Sequence, residues 1–138
     1  MINIFIGYDN NEIVAYHTLC QSIIHNSSVP LNFCPINLKN LEKTYNRERN
    51  NMESTEFSFS RFLVPYLSNY TGWSIFMDCD VIVDNDINKL WELRNDNYSV
   101  MCVKHDYTPK ESSKFLGQVQ TQYEKKNWSS VMLFNNSK

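Results

Sequence analysis

Apolar residues recur along this chain at two spacings. Ile2 to Gly7 (INIFIG) is a short β-branched run closed by glycine, and EIVAYHTLCQSIIHNSS follows with Ile13, Val14, Tyr16, His17, Cys20, Ile23 and Ile24 at helical intervals. The first pattern predicts a strand and the second an amphipathic helix, joined by a short loop. Val29 to Leu38 predicts a second strand, and LKNLEKTYNRERNNMEST, polar and with little periodicity, predicts a long loop. FSFSRFLVPYLSNY predicts a helix that starts near Ser58 or Ser60, with Phe59, Phe62, Leu63 and Tyr66 on one face and Pro65 in the first turn or at a kink. Trp73 to Met77 reads as a strand and Val81 to Val83 as a further extended piece. Ile87 to Leu93 reads as a short helix capped by Asp86, and Tyr98 to Val103 and WSSVMLFN as strands.

Strands alternating with helices predict the α/β class, a three-layer α/β/α sandwich with a mainly parallel, Rossmann-like sheet. The length of 138 residues suits a single domain over 1–138, and a hydrophobic content of 42% supplies one core. Charged residues make up 20%, too few and too mixed for a disordered chain. A net charge of -2 and a pI near 5.9 argue against a nucleic-acid partner held by phosphate contacts. The opening MINIFIGYD lacks the parts of a signal peptide, and no apolar run approaches the roughly 20 residues of a membrane helix. The expectation is a soluble, cytoplasmic protein without a membrane span. Cys20, Cys34, Cys79 and Cys102 show neither a CxxC pair nor zinc-like histidine spacing, which suits separate thiols.

Parallel sheets bind ligands at the carboxyl ends of their strands. Two such ends carry chemically capable residues, Gly7-Tyr8-Asp9 and Asp78-Cys79-Asp80, and are expected to share one crevice. In WSIFMDCDVIVDNDI an extended backbone turns Asp78 and Asp80 to the same side, because side chains alternate. Two partly buried carboxylates so placed cost on the order of several kcal/mol unless something positive lies between them. A divalent cation removes that cost, and oxygen donors select hard ions such as Mg²⁺ or Mn²⁺. The pair therefore points to a metal-diphosphate site, and a strand-ending turn with Arg61 or Lys89 nearby is the competing role. Asp84 and Asp86 fall where the chain turns toward a helix and suit capping. His17 and His25, with no neighbouring ligands, suit core or surface roles.

STEFSFSRFLVPYL and WSIFMDCDVIVDNDINKLWEL together resemble the central part of GT-A fold nucleotide-sugar glycosyltransferases, especially family 8 and its relatives. In those enzymes a helix with a basic residue precedes a strand that ends in Asp-x-Asp. IFIGYD resembles their first strand, whose end holds the nucleotide base, and WSSVMLFN resembles a later strand that approaches the donor sugar. The resemblance implies that Asp78 and Asp80 ligate Mn²⁺ or Mg²⁺ on the diphosphate of a UDP-sugar, where a cation stabilises the charge that grows on UDP as the sugar-phosphate bond breaks. Arg61 matches the basic helix position and either pairs with Asp78 or reaches the donor. Ile6, Gly7, Tyr8 and Asp9 match the nucleotide segment, with Cys79 and Arg61 beside it. In that segment Gly7 lets a ligand approach the backbone, Tyr8 stacks on uracil, and Asp9 accepts from base or ribose. Asn127, Ser129 and Ser130 match the donor-sugar side, and Lys104, His105 or Asp106 touch phosphate or acceptor.

The implied activity is metal-dependent transfer of a hexose from a UDP-sugar to an unknown acceptor, with retention of anomeric configuration as in family 8. An inverting course needs a carboxylate base at the acceptor, for which Asp106 and Glu124 are the candidates. Many family 8 enzymes complete the metal site with a C-terminal histidine. No histidine follows His105 here, so the resemblance implies a minimal, C-terminally short version whose third metal ligand is water, diphosphate or a group from elsewhere. Two other readings compete. Asp-x-Asp after a hydrophobic strand is also the nucleophile motif of haloacid-dehalogenase-like phosphatases, although there it sits on the first strand. A nucleotide-sugar-binding module with little turnover would carry the same donor site.

Overall fold

In a computed structural model, which describes residues 1–48, 53, 55–105 and 126–138, the apolar runs become a five-stranded sheet. The strands are β1 (Ile2–Gly7), β2 (Leu31–Ile36), β3 (Trp73–Met77), β4 (Val100–His105) and β5 (Lys126–Asn135), in the order β2-β1-β3-β5-β4. β1 lies parallel to both β2 and β3, whereas β5 runs antiparallel to both β3 and β4. Four strands thus share one direction and β5 opposes them, so the sheet is mixed. The chain leaves β1 through α1 (Ile13–His25) to β2 on one side, then crosses back to place β3 on the other. That reversal makes the carboxyl ends of β1 and β3 the switch point where such sheets open a crevice.

Near-continuous apolar runs suit strands covered on both faces, and the register shows what covers them. Ile4 and Ile6 of β1 pair with Ile75 and Met77 of β3 on one face, and Phe5 pairs with Phe76 on the other. Of these six side chains all but Phe5 are at most 3% exposed, and Phe5 is 6%. The Phe76 face receives Phe57, with ring centroids 6.5 Å apart. Phe57 also fills the place of the side chain that Gly7 lacks, because a Cβ there would lie 2.4 Å from its ring. On the other face, Leu90 of α3 (Ile87–Trp91) borders an apolar cavity of about 130 Å³ with Met101, Val131 and Leu133. Burying one such side chain stabilises the fold by about 1.5–3 kcal/mol.

The elements lie where the apolar runs place them, but two buried faces differ from expectation. On α1 the inward stripe is Tyr16, Leu19, Cys20 and Ile23, while Ile13, Val14 and Ile24 are exposed. The expected helix around Pro65 is a 3₁₀ turn over Ser60–Leu63 running into α2 (Val64–Leu67), with Pro65 in its first turn. Its buried side is Phe57, Ser60, Arg61 and Val64, and Phe59, Phe62 and Tyr66 face outward. The spacing is helical, but two of the inward positions are polar, so apolar periodicity selects the wrong face. Residues 81–83 form no strand, and Asp86 caps α3 by accepting from Asn88 N. The described cysteines are free. Among the described residues no helix is long and apolar enough to cross a membrane.

Candidate functional site

Asp78 extends the β3 ladder by one step, since its N–H donates to Ser130 O at 2.8 Å. Alternation from Ser74 and Phe76 turns its side chain to the Phe57 face. The strand then ends, and Cys79 and Asp80 form a turn. The alternation expected to align both carboxylates therefore reaches only Asp78. Asp80 comes to the same place by the turn, and both aspartates line one cleft of about 390 Å³ with Arg61, Trp128, Ser129 and Ser130.

Arg61 enters this cleft from the 3₁₀ turn, 8% exposed, with its guanidinium 5.5 Å from the Phe57 ring centroid and 5.2 Å from that of Phe76. Nε donates to Phe57 O at 3.3 Å, and Nη1 donates to Ser129 O at 2.9 Å and to Ser129 Oγ at 3.0 Å. Asp78 Oδ1 lies 3.1 Å from the same nitrogen as an ion pair, yet this buried oxygen has no hydrogen-bond partner among the described residues. Burial pushes the Asp78 carboxyl up to about 7; Arg61 pulls it down, and the charges of Asp80 and Glu12 push it up again.

This donor set fits a hard divalent cation, because it offers a buried carboxylate oxygen that accepts no hydrogen bond among the described residues next to an exposed second carboxylate. Among the described residues no three His, Cys, Asp or Glu side chains converge on one point. Asp78 and Asp80 are the two carboxylates that line the cleft among the described residues.

The residues expected around the nucleotide are distributed differently. Ile6 and Cys79 are fully buried, and at Gly7 a Cβ would collide with the Phe57 ring. Asp9, also fully buried, accepts from Asn11 N at 2.8 Å, Asn11 Nδ2 at 3.0 Å and Glu56 N at 3.0 Å, so its carboxylate is used inside the protein. Tyr8 is half-buried, edge-on to Tyr16 at 5.3 Å. Ser129 and Ser130 border the cleft, whereas Lys104 is exposed on edge strand β4, in register with Asn127 of β5. Asp106 and Glu124 lie outside the described residues, as does the side chain of His105. His17 and His25 are on the surface of α1.

One neighbour had no signal in the sequence. Cys79 Sγ donates to Glu12 Oε2 at 3.3 Å. The two residues are 67 positions apart and meet because β1 and β3 are adjacent. Burial raises the Glu12 carboxyl, the Cys79 contact lowers it, and Asp80 and Asp9 raise it.

The chain is similar to known proteins at the level of family and of fold. The sequence model of glycosyl transferase family 8 matches residues 7–138. Protein CDI of Arabidopsis thaliana is 53% identical over 134 residues, covering 96% of this chain and 52% of its own. Among solved structures, the bifunctional glycosyltransferase WbbM superposes with a TM-score of 0.61 at 16% identity, over 98% of this chain and 31% of that one. The glycosyltransferase GlyE of Streptococcus pneumoniae gives a TM-score of 0.58 at 15% identity, over 98% of this chain and 34% of its own. These two likenesses show the α/β fold of GT-A glycosyltransferases. The chain spans about half the length of the curated relative it matches.

Proposed function

Because this chain belongs to glycosyl transferase family 8, we propose that it binds a UDP-sugar through a divalent cation, Mn²⁺ or Mg²⁺, held by Asp78 and Asp80, and passes the hexose to an acceptor with retention. The observation that carries this reading is the buried Asp78 oxygen that is ion-paired to Arg61 but accepts no hydrogen bond among the described residues, beside Asp80 in a cleft that Ser129 and Ser130 border. When bound, the cation supplies positive charge against the diphosphate as UDP departs. Arg61 acts on the protein side of the site: it clamps Ser129 at the start of β5 and holds Asp78 within ion-pair distance. Tyr8 is the residue of the β1 end that remains partly open to a base. The phosphatase reading loses its support, since the family match spans residues 7–138 and Asp78 follows the third strand rather than the first.

Calorimetric titration of UDP with Mn²⁺, with Mg²⁺ and with chelator, on the wild type and Asp80→Ala, tests the proposal. Binding that requires the metal and disappears in the variant is expected, and UDP binding that ignores both metal and variant overturns it. Consumption of UDP-sugar donors by the same chain separates a transferase from a binding module, for which consumption stays at background.

A further inference from the structure

We propose that Glu12 is a positioning residue for the Asp78-Cys79-Asp80 turn, acting through the Cys79 thiol. The inference rests on the metal-diphosphate reading above and adds a residue that the motif does not contain.

The turn needs an anchor because the sheet secures only its first residue. Asp78 is tied to β5 through its N–H and Ser130 O, while Asp80 lies beyond the strand and is exposed. Cys79, between them, is fully buried and donates to Glu12 Oε2 at 3.3 Å. Fixing the middle residue of the turn fixes the separation of the two carboxylates on either side.

Glu12 is placed for this at a local cost. It occupies the N-cap of α1, where Ser, Thr, Asp or Asn would satisfy a free N–H, yet its side chain makes no capping bond. A position that breaks the local rule without local gain points to a use elsewhere in the fold, and here that use is the bond to Cys79. The backbone of Glu12 is itself held, since its N–H donates to Asp9 O at 3.0 Å, and the Asp9 carboxylate is fixed by Asn11 and Glu56. A firm loop at the end of β1 thus supports the turn at the end of β3. The thiol suits the task because it donates without adding charge among Glu12, Asp78 and Asp80.

The test measures the Mn²⁺ concentration that half-saturates UDP binding, by calorimetry, with thermal melts of each variant alongside. Residues that orient metal ligands typically change metal affinity about 10- to 100-fold, and a weak thiol donor belongs at about tenfold. Cys79→Ala and Glu12→Ala are each expected to raise the Mn²⁺ requirement by about that factor. Cys79→Ser keeps a donor and Glu12→Gln keeps an acceptor, so both are expected to return most of the loss. The Glu12→Ala/Cys79→Ala double variant is expected to match either single one, as members of one contact do. The inference is overturned if the alanine variants melt lower but need no more Mn²⁺, if their effects multiply in the double variant, or if Glu12→Gln is as impaired as Glu12→Ala. Wild-type UDP binding indifferent to Mn²⁺ overturns the metal-diphosphate reading, and the positioning role with it.

Discussion

Two aspartates stand at the carboxyl ends of adjacent parallel strands, and the protein treats them oppositely. Asp9, after β1, is fully buried and takes three N–H donors from Asn11 and Glu56. Asp78, after β3, has a guanidinium 3.1 Å from Oδ1, but that oxygen receives no hydrogen bond among the described residues, and burial pushes its carboxyl up to about 7. A carboxylate with its donors in place is scaffold. One whose buried oxygen is left short of donors next to a cleft suits the cation proposed for this site.

The comparison breaks most visibly at Arg61. Arg61→Met removes the positive partner of Asp78 while keeping much of the side-chain volume between Phe57 and Phe76, and breaking a buried pair in this way costs about 3–5 kcal/mol. The sign with pH is fixed: without Arg61 the Asp78 carboxyl rises further and takes up a proton more readily. The loss in chemical denaturation should therefore be largest at pH 8 and shrink toward pH 5.

A smaller effect sharpens the contrast from the other side. Asp9→Ala leaves the N–H groups of Asn11 and Glu56 without their acceptor, at about 1–3 kcal/mol. Melting should fall accordingly, while the Mn²⁺ requirement for UDP rises by less than the roughly tenfold expected of Glu12→Ala, because Asp9 acts on the turn only through the loop that carries Glu12. A variant that melts normally but loses UDP would make Asp9 a ligand group after all.

The smallest effect concerns the face that periodicity misplaced. Phe62 is 57% exposed, so Phe62→Ser should change stability by no more than about 0.5 kcal/mol. A loss of several times that size would show that this face is covered.

How far the sequence could be read depends on what each residue's position rests on. β1, β3 and the 131–134 part of β5 are legible because a strand buried on both faces must be apolar at nearly every position. Asp78 and Asp80 stand out against that background as charges in an apolar run. Arg61 is legible by type, yet its burial is not: it shares an inward stripe with Ser60, and apolar counting turned that segment outward to Phe59, Phe62 and Tyr66. The reason for Gly7 was also hidden, since a glycine looks the same whether its space serves a ligand or the Phe57 ring. Glu12 left no trace at all, because its contact with Cys79 exists only through the pairing of β1 with β3.

Asp78→Asn tests the central claim most directly, with Mn²⁺-dependent UDP titration and metal-free melting measured on the same sample across pH. The folded-state value of Asp78 is raised above the ordinary carboxylate value of about 3.9. The stability that its protonated form contributes is therefore complete below about pH 4 and lost as pH rises through about 7. The account predicts that the variant loses metal-dependent UDP binding and, at pH 8, melts at or above the wild type, with that advantage fading toward pH 4. A variant that melts well below the wild type at pH 8 and still binds UDP with Mn²⁺ would contradict it and place Asp78 with Asp9, in the scaffold.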